Sequence, residues 1–231
     1  NNTIGLIDNA STLSLNGSAQ ITFYSLGDSI QPYLLKNGVR CDEADICNIT
    51  SYNTTTGTLV SQVSSFSNYT TQAAIACGTI TSSITLTENL TSSDDCFTIG
   101  AANIVIDGAG FSITGDGTGQ GIDANTKQNI TIHNLTLINF SDGIRMTSVT
   151  ASSYYDLLLI NNSNNHFSVV AGSDQLFENN TINGGGTGIS ITTTAYDISV
   201  RNNFVNSTSY GLRLQGTSNN TFTNNTISAY N

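Results

Sequence analysis

Beyond residue 80 or so, apolar residues come in x-apolar-x-apolar pairs, such as Ile130-Thr131-Ile132, Ile189-Ser190-Ile191 and Leu212-Arg213-Leu214. Alternation of this kind turns one face of a short strand inward and leaves the other in water. The pairs also recur at long range. A glycine-apolar doublet stands at Gly121-Ile122 and Gly143-Ile144, returns as His166-Phe167, and stands again at Gly188-Ile189 and Gly211-Leu212. A second apolar position precedes each later doublet by eleven residues: Ile132, Tyr155, Phe177 and Val200, with Phe222 by extension. A third precedes them by six: Leu137, Ile160, Ile182 and Val205, with Ile227 by extension. Three positions held in phase over repeats of about 22 residues define a solenoid. The three-and-four spacing of helical repeats is missing, and so is the leucine-dominated consensus of leucine-rich repeats. Each coil is therefore predicted to hold three short strands, stacked coil on coil at about 4.8 Å.

Residues 1–76 lack this period. Thr12 to Leu15, Gln20 to Phe23, Leu34-Leu35 and Leu59 to Val63 read as short strands, with turns at Asn16-Gly17 and Asn37-Gly38. Such spacing predicts a small immunoglobulin-like β-sandwich. Tyr69 follows the run from Val63 and fits either a plain core position or a tyrosine-corner bond. The expected fold is thus all-β: a small β-sandwich over 1–76, then a parallel β-helix of about six coils over 77–231.

Composition narrows the class. The chain has 231 residues, 10% of them charged, with one proline and a net charge of −10. Six Lys and Arg residues exclude phosphate-backbone binding, so no nucleic acid partner is expected. No apolar stretch approaches the ~18 residues of a membrane span. Asn1 reads as a processed start. Four cysteines allow three connectivities, of which proximity favours Cys41–Cys47 with Cys77–Cys96. Zinc would want Cys-x-x-Cys spacing with nearby histidine, so disulfides in an oxidising compartment are the better reading. About 15 Asn-x-Ser/Thr sequons point the same way, toward an exported chain carrying N-linked glycans.

The segment from Cys96 to Gly115, together with 177–182, 200–205 and 222–227, resembles right-handed parallel β-helix repeats of archaeal and bacterial cell-surface proteins. More distantly it is similar to pectate-lyase-like enzymes. The resemblance covers residues 80–231 and implies architecture more than activity.

Asparagine recurs at one corner of the coil. Asn134, Asn179, Asn202 and Asn224 are candidates for a stacked amide ladder, with Asn180, Asn203 and Asn225 the alternative register. Leu157 and Leu158 interrupt both series, which predicts a locally irregular coil there. If the first series points inward, the sequons at Asn134, Asn179 and Asn224 should be bare. Asn139, Asn161 and Asn206 should then form an outward glycan stripe, with Asn16, Asn53 and Asn68 accessible in the first domain.

Catalytic chemistry is sparse. Glycoside hydrolysis wants two carboxylates about 5–9.5 Å apart across a sugar. The adjacent pair Asp94-Asp95 reads as a turn before Cys96. Arg145, Arg201 and Arg213 show no acidic partner in phase, and His133 and His166 are out of phase with each other. Tyr154, Tyr155, Tyr196 and Tyr210 offer sugar platforms or ordinary packing. No catalytic, cofactor-binding or metal residues are expected, and no cofactor.

The expected role is a non-enzymatic structural subunit of an extracellular filament, pilus-like thread or surface layer. A surface adhesin or glycan-binding module is the alternative, and a polysaccharide lyase or hydrolase a third. Self-association is expected in one of two ways. Thr3, Ile4, Leu6 and Ile7 would act as a donor strand, or coil would meet coil end to end through Phe222 and Ile227.

Overall fold

The structure, a computed structural model, describes residues 3–4, 17–28, 30–41, 46–65 and 67–230. The predicted strand at 12–15 and the site residues Leu6, Ile7 and Asn16 lie outside them. The chain forms two compact units, Asn1–Ile75 and Ala76–Asn231.

The first unit holds two small antiparallel sheets. One orders Thr3–Ile4, Tyr69–Gln72, Tyr33–Lys36 and Val39–Arg40, the other Ala19–Phe23, Thr58–Val63 and Cys47–Asn53. Alternation works as expected: Leu59, Ser61 and Val63 turn inward and Gln62 outward. Phe23, Leu34, Leu59, Val63, Tyr69 and the Cys41–Cys47 disulfide form the core. Asn37 and Gly38, both at positive φ, make the tight turn between two strands whose twist requires it. The Tyr69 hydroxyl, otherwise buried, donates to the Ser65 carbonyl at 2.9 Å. Burial raises its pKa, and the Ser65 bond opposes that shift. Thr3 and Ile4 pair with Thr70 and Tyr69 of their own chain, so the two described residues of the expected donor strand serve as a strand of their own sheet.

The second unit is a parallel β-solenoid of seven turns, with no helix among the described residues. The first sheet runs through Gly78–Ile80, Phe97–Ile99, Gln120–Asn125, the starts of Asp142–Tyr155 and Asn165–Glu178, Thr187–Thr192 and Leu212–Gln215. The second comprises Ile84–Thr85, Val105–Asp107, Thr131–His133, the ends of the two long strands, Ser199–Arg201 and Thr221–Thr223. The third comprises Leu90–Thr91, Ser112–Thr114, Thr136–Ile138, Leu158–Ile160, Thr181–Asn183, Phe204–Ser207 and Thr226–Ala229. Six coils were expected; the additional one is the first. Its strands are two or three residues long with one large apolar residue each, too short to register as a repeat. The Cys77–Cys96 disulfide ties the start of that coil to the start of the next.

Inward columns form the core. Ile122, Ile144, Phe167, Ile189 and Leu212 are stacked in register, as the doublets predict. Ile122 through Ile189 are fully buried, each stabilising by roughly 1.5–3 kcal/mol. The other two columns differ from the sequence reading at one coil. Tyr154, not Tyr155, stands on Ile132, and Leu159, not Ile160, stands on Leu137. The cause is one extra residue in the corner between Leu159 and Phe167, compared with Leu137 to Ile144. Counting backward from His166 carries that residue into both strands. Tyr154 stacks on Phe177 at 5.0 Å, and Phe167 meets Phe177 edge-on at 4.9 Å.

Candidate functional site

The corner between the second and third sheets decides what faces outward. Asn134, Asp156, Asn179, Asn202 and Asn224 all sit at positive φ, between 52° and 58°, where Asn and Asp are the side chains best tolerated. A left-handed residue turns the next one inward. Asn180 and Asn203 are therefore buried, at 1% and 2% exposure, and Asn225 half-buried. This is the alternative register: the ladder is Asn180–Asn203–Asn225, and Asn134, Asn179, Asn202 and Asn224 are exposed. Asn180 Nδ2 donates to Asn203 Oδ1 and Asn203 Nδ2 to Asn225 Oδ1, both at 3.0 Å. The backbone N–H groups of Leu157, Asn180 and Asn203 donate to the oxygen of the ladder residue one coil on. The corner at Leu157 is regular, because Asp156 takes the left-handed position there.

Of the other expected glycan positions, Asn53, Asn68, Asn139 and Asn161 are exposed and Asn206 is half-buried. Asn206 Nδ2 donates to Asn183 Oδ1 at 3.3 Å. Asn53 Oδ1 accepts from the Thr55 and Thr56 N–H groups, which fixes its turn. Phe222 is half-buried and Ile227 is 41% exposed.

The second sheet carries an outward row that the sequence reading missed. Asp107, His133, Tyr155, Glu178 and Arg201 follow one another in register, one per coil. His133 Nδ1 lies 3.6 Å from Asp107 Oδ1. The His133 and Tyr155 rings are parallel within 2°, with centroids 5.0 Å apart. Glu178 holds Arg201 through two contacts of 2.8 Å, at Nε and Nη2. This overturns the expectation that Arg201 lacks an acidic partner in phase. The same pair holds the Glu178 carboxyl below its ordinary pKa. Beside the row lies a cleft of about 320 Å³ lined by Tyr155, Asp156, Glu178, Asn179 and Asn202. Two of these lining residues are bonded to each other, with Asn179 Nδ2 donating to Asp156 Oδ1. Tyr154 is core; Tyr196 and Tyr210 are exposed singly.

On the first sheet, Arg145 also has an acidic residue in register, Asp123. Burial raises the Asp123 pKa; Arg145 opposes the shift, while Asp95 and Asp142 add to it. Asp95 and Asp142 are themselves engaged. Asp95 Oδ1 accepts from the Gln120 N–H at 2.7 Å, linking two coils. Asp142 Oδ1 accepts from Asn164 Nδ2, Asn165 Nδ2 and the Asn165 N–H. No group of three potential metal ligands occurs among the described residues.

His166 is fully buried at the corner that carries the extra residue. Its Nε2 lies 2.7 Å from the Gly184 carbonyl, to which it donates. Its Nδ1 then accepts from Asn162 Nδ2 at 3.0 Å. Asn162 Oδ1 is held by the Phe140 N–H, which orients the amide. Both ring nitrogens are satisfied only in the neutral form. Burial accordingly lowers the His166 pKa, and the Gly184 bond opposes that shift. Because the folded pKa lies below the unfolded one, the unfolded chain binds the extra proton. Stability is then expected to be flat above about pH 6.5 and to fall as pH drops below it. Chemical denaturation between pH 7.5 and 5 checks this. His166→Gly, which restores the residue found at four other coils, should flatten the profile.

The family model described as right handed beta helix region matches residues 97–231, more than half of the chain. No curated protein and no solved structure matches.

Proposed function

The chain belongs to the right-handed β-helix family, and from that premise we propose that it is a non-enzymatic structural subunit of an exported, glycosylated surface assembly, a filament or surface layer. One observation carries this reading: several carboxylates of the solenoid are engaged in its own scaffold. Asp95, Asp142, Asp156, Glu178 and Asp197 each bind a residue on a neighbouring coil. Asp116 closes its own turn on Thr118. Carboxylates fixed to a neighbouring coil tie successive coils together, which supports a scaffolding role for them rather than acid–base work. Two disulfides suit an oxidising, non-cytoplasmic setting. The first unit is read as an immunoglobulin-like sandwich, supported by its two antiparallel sheets and the Tyr69–Ser65 bond. Copies would associate by parallel pairing of coil edges, which needs few specific side chains and suits a chain only 10% charged. Electron microscopy of native surface material, probed with an antibody to this chain, is expected to label filaments or a lattice. Dispersed single particles that cleave acidic polysaccharide would overturn the reading.

A further inference from the structure

The sequon Asn179-Asn180-Thr181 places its asparagine in the lining of the cleft beside Tyr155. From this juxtaposition we propose that Asn179 carries an N-linked glycan whose first sugar is seated in that cleft against the Tyr155 ring. The inference rests on the reading of the chain as an exported glycoprotein.

Four features fit the occupant. Asn179 is exposed and left-handed, with its amide turned outward. Its amide has two hydrogens, and one is engaged with Asp156 Oδ1. Attachment replaces the other, so the Asp156 bond survives and fixes the direction in which the sugar leaves. Tyr155 has one face covered by the parallel His133 ring, and it also lines the cleft. A half-exposed aromatic with polar neighbours suits a sugar, which has apolar C–H faces and hydroxyl edges. The hydroxyls would meet Glu178, already held by Arg201, and Asn202. Spacing also fits. Along this corner, Asn134, Asn179 and Asn224 carry sequons, whereas Asp156 and Asn202 between them do not. Glycans on alternate coils stand about 9.6 Å apart, two strand spacings, rather than the ~4.8 Å of adjacent coils.

The covalent step requires a lipid-phosphate-linked glycan as co-reactant. The Asn179 amide nitrogen bonds to the anomeric carbon. The carbon–oxygen bond to the carrier phosphate breaks, and its electron pair leaves with the phosphate. The nitrogen gives up one proton.

Glycopeptide mapping of native protein is the first measurement, and Asn179 is expected to be occupied. The second uses Thr181→Val, which removes the sequon while leaving Asn179 and the strand in place, and Thr181→Ser, which keeps it. In glycosylated protein, T181V should lower the melting temperature by about 2–4 °C, and T181S should not. With Tyr155→Ala the T181V loss should vanish, and with Tyr155→Phe it should persist. Unglycosylated protein from a host lacking the transferase should show no T181V loss in any background. A bare Asn179 with other sequons occupied overturns the inference and leaves the glycoprotein reading intact. An equal T181V loss with and without Tyr155 also overturns it. A native chain with no glycan at all overturns both.

Discussion

Asn203→Ala is expected to cost about 3–5 kcal/mol and to unravel the coils around it before the rest of the solenoid. Asn203 is 2% exposed and its side chain makes five hydrogen bonds. Its Oδ1 accepts from the Asn180 N–H and Asn180 Nδ2; its Nδ2 donates to Phe177 O, Arg201 O and Asn225 Oδ1. Truncation leaves the Asn180 N–H buried with no acceptor, at roughly 1–3 kcal/mol. It also removes one of the two acceptors of Asn180 Nδ2 and a donor to the Phe177 carbonyl. Asn203→Leu should be no better, since leucine supplies neither oxygen nor N–H. The neighbouring Asn202→Ala sets the scale. Asn202 is exposed and matters through its left-handed backbone, so its loss should cost about 1–2 kcal/mol. Urea denaturation of the three variants decides the matter. Equal costs at 202 and 203 would mean that the amide ladder contributes nothing beyond corner conformation.

The contrast between these two asparagines shows what the sequence could reveal. Asn179-Asn180, Asn202-Asn203 and Asn224-Asn225 are the same doublet, and composition does not tell which member faces in. The earlier coils do: Asn134-Leu135 and Asp156-Leu157 put an apolar residue second, so the second position is the buried one. The inward columns of the first sheet were legible because glycine recurs beside them in most coils. A Cβ on Gly121 or Gly143 would lie 2.6 Å from a carbonyl oxygen of the next coil. The shift at Tyr154 and Leu159 was not legible, because an extra residue in a corner leaves no mark on the alternation of the strands around it. The row from Asp107 to Arg201 was legible in principle. Glu178 and Arg201 stand 23 residues apart, one coil, but a row of single charges on an outward face has no apolar periodicity to draw attention to it. The cleft was not legible, since it depends on how Tyr155, Glu178 and Asn202 from three coils lean together.

Gly185→Ala is expected to be comparably severe, at about 3–5 kcal/mol. Gly184, Gly185 and Gly186 form a run that no other coil has, and the coil beneath explains it. There the chain carries its extra residue and puts His166 where four other coils have glycine. Gly184 and Gly185 take positive φ, 71° and 65°, and the run passes close over that bulky corner. A Cβ on Gly185 would lie 2.3 Å from the Asn162 carbonyl oxygen and 2.8 Å from both Asn162 N and His166 Nε2. Backbone cannot yield as a side chain can, so the coils must separate locally. Gly110→Ala isolates the conformational part. It has φ of 83° with no atom near its Cβ, and should cost about 1–2 kcal/mol. His166→Gly combined with Gly185→Ala then tests which contact limits the fit. Removing the imidazole relieves one of the three clashes and leaves both to Asn162, so most of the Gly185→Ala cost should remain. Full recovery in the double variant would show instead that the glycine run exists to accommodate the histidine ring alone.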